Sequence, residues 1–217
     1  FAVDQAKVLQ FLARLPFTLT SSQNSAIKDI LTDLAQTHPM NRLLEGDVGS
    51  GKTIVAAVAA YLAYLNGYQT LLLAPTQILA AQHHATLSAL FAPLGIEVSL
   101  VLGGKKSAKL GPIVSGTHAL LAHTLKLQQV GLVVVDEQHR FGVAQRALAA
   151  ALGKSPHILT MTATPIPRTI ALTMYGDLDL STLTEMPAGR IPVKTWAVGE
   201  AKRASAYEWI RSQITDY

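Results

Sequence analysis

The chain reads as an α/β domain built on a mostly parallel central sheet flanked by helices. Three observations carry that reading. Short runs rich in Val, Ile and Leu alternate with stretches of helical periodicity from about residue 42 to residue 175, the pattern of repeated strand and helix units. The run Leu132-Val133-Val134-Val135 is apolar without alternation, so both of its faces should be covered and it belongs at the sheet centre. Of 217 residues, 49% are hydrophobic and 15% charged, with a mean hydropathy of +0.29, which supplies one sizeable core and excludes a disordered chain.

A leading helix is expected over Asp4 to Arg14, ending before Leu15-Pro16. Strands are predicted at Arg42 to Glu45, Thr70 to Ala74, Glu97 to Leu102, Ile113 to Ser115, Leu132 to Asp136, Ile158 to Met161 and Val193 to Val198. Between them fall helices at Ser22 to Gln36, Lys52 to Asn66, Gln77 to Leu90, Val143 to Leu152 and Pro167 to Tyr175, and a closing helix spans Glu200 to Ile214. The longest apolar stretch, Ile54 to Leu65, has twelve residues against the ~20 that cross a membrane, so it reads as a buried helix. Pro187 to Pro192 is rich in turn formers and marks a boundary, giving a compact domain over 1–190 and a trailing segment over 191–217.

The absence of cysteine excludes disulfide scaffolds and thiolate metal sites and is compatible with a reducing compartment. Eighteen Lys and Arg against fourteen Asp and Glu give a charge of +4, which suits an anionic partner. A start at Phe1 and a stop at Tyr217, directly after a helical pattern, read as a piece of a longer polypeptide.

Gly46-Asp47-Val48-Gly49-Ser50-Gly51-Lys52-Thr53 fits the G-x-x-x-x-G-K-T phosphate loop and sits where that loop must sit, after a strand and before a helix. Glycines let successive N–H groups turn inward around a phosphate, and the start of the next helix adds partial positive charge. Lys52 would reach the β and γ phosphates of a nucleotide, and the Thr53 hydroxyl would take one Mg²⁺ position. Further along, the buried strand delivers Asp136 and Glu137 at its C-terminal end, where ligands of open parallel sheets bind. Two adjacent carboxylates there need a cation. Asp136 would hold Mg²⁺, directly or through water, and Glu137 would orient and deprotonate the water that attacks the γ phosphate.

With Asp136-Glu137-Gln138-His139 as a D-E-x-H box and Thr162-Ala163-Thr164 after the next strand, the chain resembles motifs I, II and III of the superfamily 2 helicases. Flanking residues narrow the likeness to the RecG family of DNA helicases: Gly46 to Thr53, Asp136 to Val143, and Met161 to Thr169 (M-T-A-T-P-I-P-R-T). The resemblance runs from about Leu15 to Arg190. A sibling family, the transcription-repair coupling translocases, shares T-A-T-P-I-P-R-T but usually has Glu where this chain has Gln138 and an aromatic where it has Ser50.

The resemblance implies a RecA-like P-loop NTPase domain, the first motor domain of an ATP-dependent helicase that remodels branched DNA, of fork or Holliday-junction type, with ATP and Mg²⁺. It implies a bacterial, cytoplasmic, nucleoid-associated protein. It also implies a wedge domain before Phe1 and, after Tyr217, a second motor domain that supplies arginines to the shared nucleotide, so the fragment alone should hydrolyse ATP poorly. Carried over residue by residue, Leu15 to Thr20 with Phe17, followed by Gln23, looks like the adenine-reading segment; a capped helix start on Thr20 or Ser21 is compatible with it. Ala74-Pro75-Thr76 resembles motif Ia and Gly116-Thr117-His118 motif Ib, both implying contacts to the DNA backbone. His139 is implied to join catalysis by hydrogen bonding towards Thr162 or Thr164, which with Gln138 would couple nucleotide state to DNA. His83-His84 is expected to be a solvated helix face, and Lys105, Lys106 and Lys109 a basic loop that could meet phosphate. Gln77 replaces a usual Glu, and the segment from Gly103 to Ile113 is shorter than in relatives. A small-molecule phosphoryl transferase and a degenerate binding module are the competing readings. The D-E-x-H box with T-A-T argues against the first, and the presence of Lys52, Thr53, Asp136 and Glu137 against the second.

Overall fold

The strands of the sheet all run in the same direction. They are β1 (Asn41–Gly46), β2 (Gln69–Ala74), β3 (Val98–Val101), β4 (Ile113–Thr117), β5 (Val130–Asp136), β6 (His157–Thr162) and β7 (Asp179–Leu183), lying in the order β3-β4-β2-β5-β6-β1-β7. The computed structural model describes residues 1–102, 110–117, 120, 127, 129–136, 155–164, 178–188 and 195–215. Among them lie helices α1 (Gln5–Ala13), α2 (Ser21–Leu34), α3 (Lys52–Leu65), α4 (Gln77–Phe91) and α5 (Arg203–Thr215). The helices expected at Val143 to Leu152 and Pro167 to Tyr175 lie outside the described residues.

β5 is the fourth of the seven strands, the central place that its unbroken apolar run requires. Its alternate side chains feed two cores. Leu132 and Val134 join Leu44, Leu72, Leu159 and Met161 beneath α1, α2 and α3, while Val133 and Val135 join Leu71, Leu73 and Val114 on the other face. α3 is buried without interruption from Ile54 to Ala63, which explains why a helix with so little polar surface is stable here. Phe11 of α1 stacks on Tyr61 of α3 and Phe91 of α4, with ring centroids 4.8 and 5.5 Å apart, and so fastens the leading helix to the domain.

The seventh strand is not where the sequence pattern places it. Residues 195–198 of the predicted strand Val193 to Val198 have no regular structure, and Trp196 and Val198 are exposed. The edge strand is instead Asp179–Leu183, whose polar composition hides it. Buried Ser181 donates to Asp29 Oδ2 at 2.9 Å and accepts from Arg42 Nη1 at 2.9 Å, while Arg42 Nε donates to Asp33 Oδ2 at 2.6 Å. A network joining α2, β1 and β7 thus replaces the apolar side chains that a strand pattern looks for.

The chain divides into two units, Phe1–Pro187 and Ala188–Tyr217. The second contains a short 3₁₀ turn at Glu200–Lys202 followed by α5, with the Arg203 guanidinium 5.8 Å from the centroid of the Tyr207 ring. No helix among the described residues is long and apolar enough to cross a membrane.

Candidate functional site

Because the strands are parallel, their C-terminal ends share one edge, and the motif residues emerge there side by side. Ala74 of β2 is paired with Thr117 of β4, Leu73 with Val135 of β5, Asp136 with Met161 of β6, and Glu45 of β1 with Thr162. Across the edge the order is therefore Thr117, then Pro75 and Thr76, then Asp136, then Thr162, then the Gly46 loop. With ~4.8 Å between strands, β1 and β5 lie roughly 10 Å apart across β6, a gap suited to a polyphosphate and a cation.

The phosphate loop is held from below by α2. Thr20 caps α2 by accepting from the Gln23 N–H at 3.2 Å, and Gln23 Oε1 accepts from the Thr20 N–H at 2.9 Å, a complete capping box. Gln23 Nε2 then donates to the Ser50 carbonyl at 2.7 Å, and the whole residue is 1% exposed. Both ends of the amide are thus engaged with the protein. Adenine reading by Gln23, as the resemblance implies, would fall to the amide's second N–H and second lone pair, on a side chain that is buried here; its first ones support the loop. Phe17, on the segment before α2, is exposed and accessible to a ring.

Two loop glycines are required by geometry. Gly51 has φ +88°, and a Cβ there would lie 2.2 Å from Gln23 Nε2; a Cβ on Gly46 would lie 2.6 Å from Ser50 Oγ and 2.9 Å from Leu183 Cβ. Within the loop, Asp47 Oδ1 accepts from the Val48 N–H at 2.7 Å, Gly49 has φ +82°, and Val48 projects into solvent. Lys52 Nζ donates to the Gly46 carbonyl at 2.5 Å and to the Asp47 carbonyl at 3.0 Å, folding its ammonium over the loop. Thr53 follows in the first turn of α3, half-buried.

Asp136 stands at the end of β5, where it was expected. Its Oδ2, however, accepts from His83 Nε2 at 2.5 Å, with side-chain exposures of 14% and 12%. The His83-His84 pair is consequently no solvated face: His84 Nε2 donates to the Val98 carbonyl at 3.1 Å. Sequence spacing carries a signal for His83, which falls on one helical stripe with buried Ala80 and Leu87, three residues after one and four before the other. Glu137, Gln138, His139 and His118 lie outside the described residues, as do Lys105, Lys106 and Lys109.

Thr162 is buried and Thr164 exposed. Thr162 Oγ1 lies 2.9 Å from Thr164 Oγ1 and accepts from the Thr164 N–H at 3.2 Å, so the two threonines form a closed turn at the tip of β6. On the other half of the edge, Thr76 caps α4 by accepting from the Leu79 N–H at 3.3 Å, a bond that leaves its own hydroxyl proton to donate. Pro75, Thr76, Gln77 and Ile78 are exposed, Gly116 is buried and Thr117 half-buried.

A strand–loop–helix of the phosphate-loop pattern, beside an acidic strand end on one edge of a parallel sheet, defines a P-loop domain of RecA-like fold. Residues 20–173 match the sequence model of the DEAD/DEAH box helicases, and the chain belongs to that family. Within it, the chain is 47% identical over 216 residues to the ATP-dependent DNA helicase RecG of a Synechocystis strain and 49% identical over 210 residues to that of Pasteurella multocida, matches that take in 94% and 90% of this chain. It spans only 26% and 30% of the length of those two relatives. It also superimposes on a solved RecG bound to a three-way DNA junction with a TM-score of 0.85 and 38% identity, over 99% of this chain and 30% of that one.

Proposed function

We propose that this chain is the first RecA-like motor domain of a RecG-type helicase, binding ATP with Mg²⁺ and acting in its full-length context on forked or four-way DNA. The observation that carries this is the edge of the sheet, where the phosphate loop and Asp136 occupy one stretch and Thr76 and Thr117, at the ends of β2 and β4, the next. A phosphate entering the loop would draw the Lys52 ammonium from the Gly46 and Asp47 carbonyls, since a charged acceptor binds it more strongly than a carbonyl does. The donor set fits Mg²⁺: the Thr53 hydroxyl and the Asp136 carboxylate are hard oxygen ligands. Bound there, the ion would neutralise charge developing on the β and γ oxygens. Glu137, next in the chain, would accept the proton of the attacking water. Thr76 and Thr117 would meet the DNA backbone with hydroxyls and helix-start N–H groups. A wedge domain, a second motor domain and a nucleoid location complete the proposal.

Titration of a fluorescent ADP analogue tests it. Saturable, Mg²⁺-dependent binding that Lys52→Ala weakens by more than tenfold is expected; equal affinity in the two proteins would remove the nucleotide site.

A further inference from the structure

No role described above uses His83. Its imidazole and the Asp136 carboxylate desolvate one another at the sheet edge, where an apolar side chain would fill the space without burying two polar groups. The helix that carries it is fixed by polar ties on one side. Ser115 Oγ of β4 donates to the Ala80 carbonyl at 2.8 Å, His84 is bound to β3, and His83 to β5. From its cap at Thr76 to His83, α4 is two turns of unbroken helix, about 10 Å long, with the Ser115 tie between the ends. One end of this strut carries Pro75 and Thr76, and the other holds the carboxylate.

We propose that His83 is a positioning residue: it orients Asp136 for the cation and, through the first two turns of α4, links that carboxylate to the DNA-facing end at Thr76. With Oδ2 held by His83, Oδ1 would be the oxygen left to the ion. DNA at the Thr76 end and a metal nucleotide at Asp136 then favour the same placement of α4, and by reciprocity each tightens the other by one common factor. The inference rests on the roles proposed for Asp136 and Thr76.

The test uses the full-length protein, Mn²⁺ with ADP read by electron paramagnetic resonance, and a synthetic three-way DNA junction. His83→Ala should weaken Mn²⁺ in the ADP complex by tenfold or more, within the range for partners that orient metal ligands, and leave metal-free ADP affinity within twofold. His83→Gln, whose amide nitrogen reaches the position of the imidazole Nε2, should restore it, and His83→Asn, one bond shorter, should not. In the unaltered protein the junction should tighten Mn²⁺–ADP, and Mn²⁺–ADP the junction, by equal factors that fall to about one in His83→Ala. A side chain that only packs would lower the melting temperature and move neither quantity. Equal or tighter Mn²⁺ binding in His83→Ala overturns the positioning role, and tighter binding would make His83 a competitor of the ion. Weaker metal with the DNA linkage intact overturns the strut. Should His83→Ala fail to fold, the Asn and Gln variants decide, since equal metal affinities in those two would sink the idea. If the unaltered protein binds no Mn²⁺–ADP, the nucleotide site itself falls and this inference with it.

Discussion

Gln23→Ala is expected to loosen the phosphate loop without touching it directly. The substitution removes two bonds of 2.9 and 2.7 Å from a side chain that is 1% exposed. Losing the capping-box bond to the Thr20 N–H costs about 0.5–1 kcal/mol, and leaving the Ser50 carbonyl without its donor in a buried place costs about 1–3 kcal/mol. The sum, about 1.5–4 kcal/mol, is large against the whole stability of a domain this size. Gln23→Glu separates the two contributions: it keeps an oxygen for the Thr20 N–H but points another at the Ser50 carbonyl. It should therefore retain the helix start and lose the tie to the loop. Urea denaturation gives the stability, and titration with ADP and GDP gives the consequence for binding. A loop-supporting Gln23 predicts that both nucleotides weaken together, whereas an adenine-reading Gln23 predicts loss for ADP alone. Stability within about 0.5 kcal/mol of the unaltered chain, with ADP binding unchanged, would refute the reasoning.

Gly51→Ala should abolish ADP binding measured by calorimetry, because a left-handed φ costs an alanine about 1–2 kcal/mol and its Cβ would lie 2.2 Å from Gln23 Nε2. Burial lowers the His157 pKa to about 4, and its Nδ1 accepts from the Met40 N–H at 2.9 Å, a bond that the protonated ring cannot make. The unfolded chain takes up this proton near pH 6.5 and the folded one only near pH 4, so stability present above pH 6.5 should drain away as pH falls between the two and level off below. Discounted for a half-buried ring, the loss is about 1–2 kcal/mol, and His157→Asn, which keeps an acceptor at the same place, should flatten that part of the denaturation profile. Glu137→Gln should leave nucleotide affinity intact while DNA-stimulated hydrolysis in the full-length protein falls by orders of magnitude, since an amide cannot accept the proton; retained turnover would move the base elsewhere.

How far the sequence speaks for the structure depends on what each residue must touch. Leu132 to Val135 announce a central strand because burial on both faces leaves only apolar choices, and Gly46 to Thr53 announce their loop because close backbone approach leaves only glycine at Gly51. β7 is silent for the opposite reason. Its buried Ser181 answers to Arg42 and Asp29, partners distant in sequence, while Val193 to Val198 offers good strand propensity but residues 195–198 join no sheet. Seven strands are predicted and seven pair among the described residues, but Val193 to Val198 stands in the prediction where Asp179–Leu183 stands in the sheet. His83 is half legible: its stripe with Ala80 and Leu87 marks it as inward-facing, but its partner is a neighbour only after β2 and β5 have paired, and the sequence does not name it.

The bracing of the phosphate loop bears on what the capture of a nucleotide there would cost. Residues 47–51 already have their turns set by Gln23 beneath, by Asp47 on the Val48 N–H and by Lys52 on two carbonyls. Ordering five such residues at the moment of capture would cost about 5–10 kcal/mol, comparable with the whole ~8 kcal/mol of a micromolar complex. A loop whose turns are held by Gln23 and Asp47 of its own chain would spare a nucleotide bound there most of that ordering cost, leaving the phosphate contacts to show more fully as affinity.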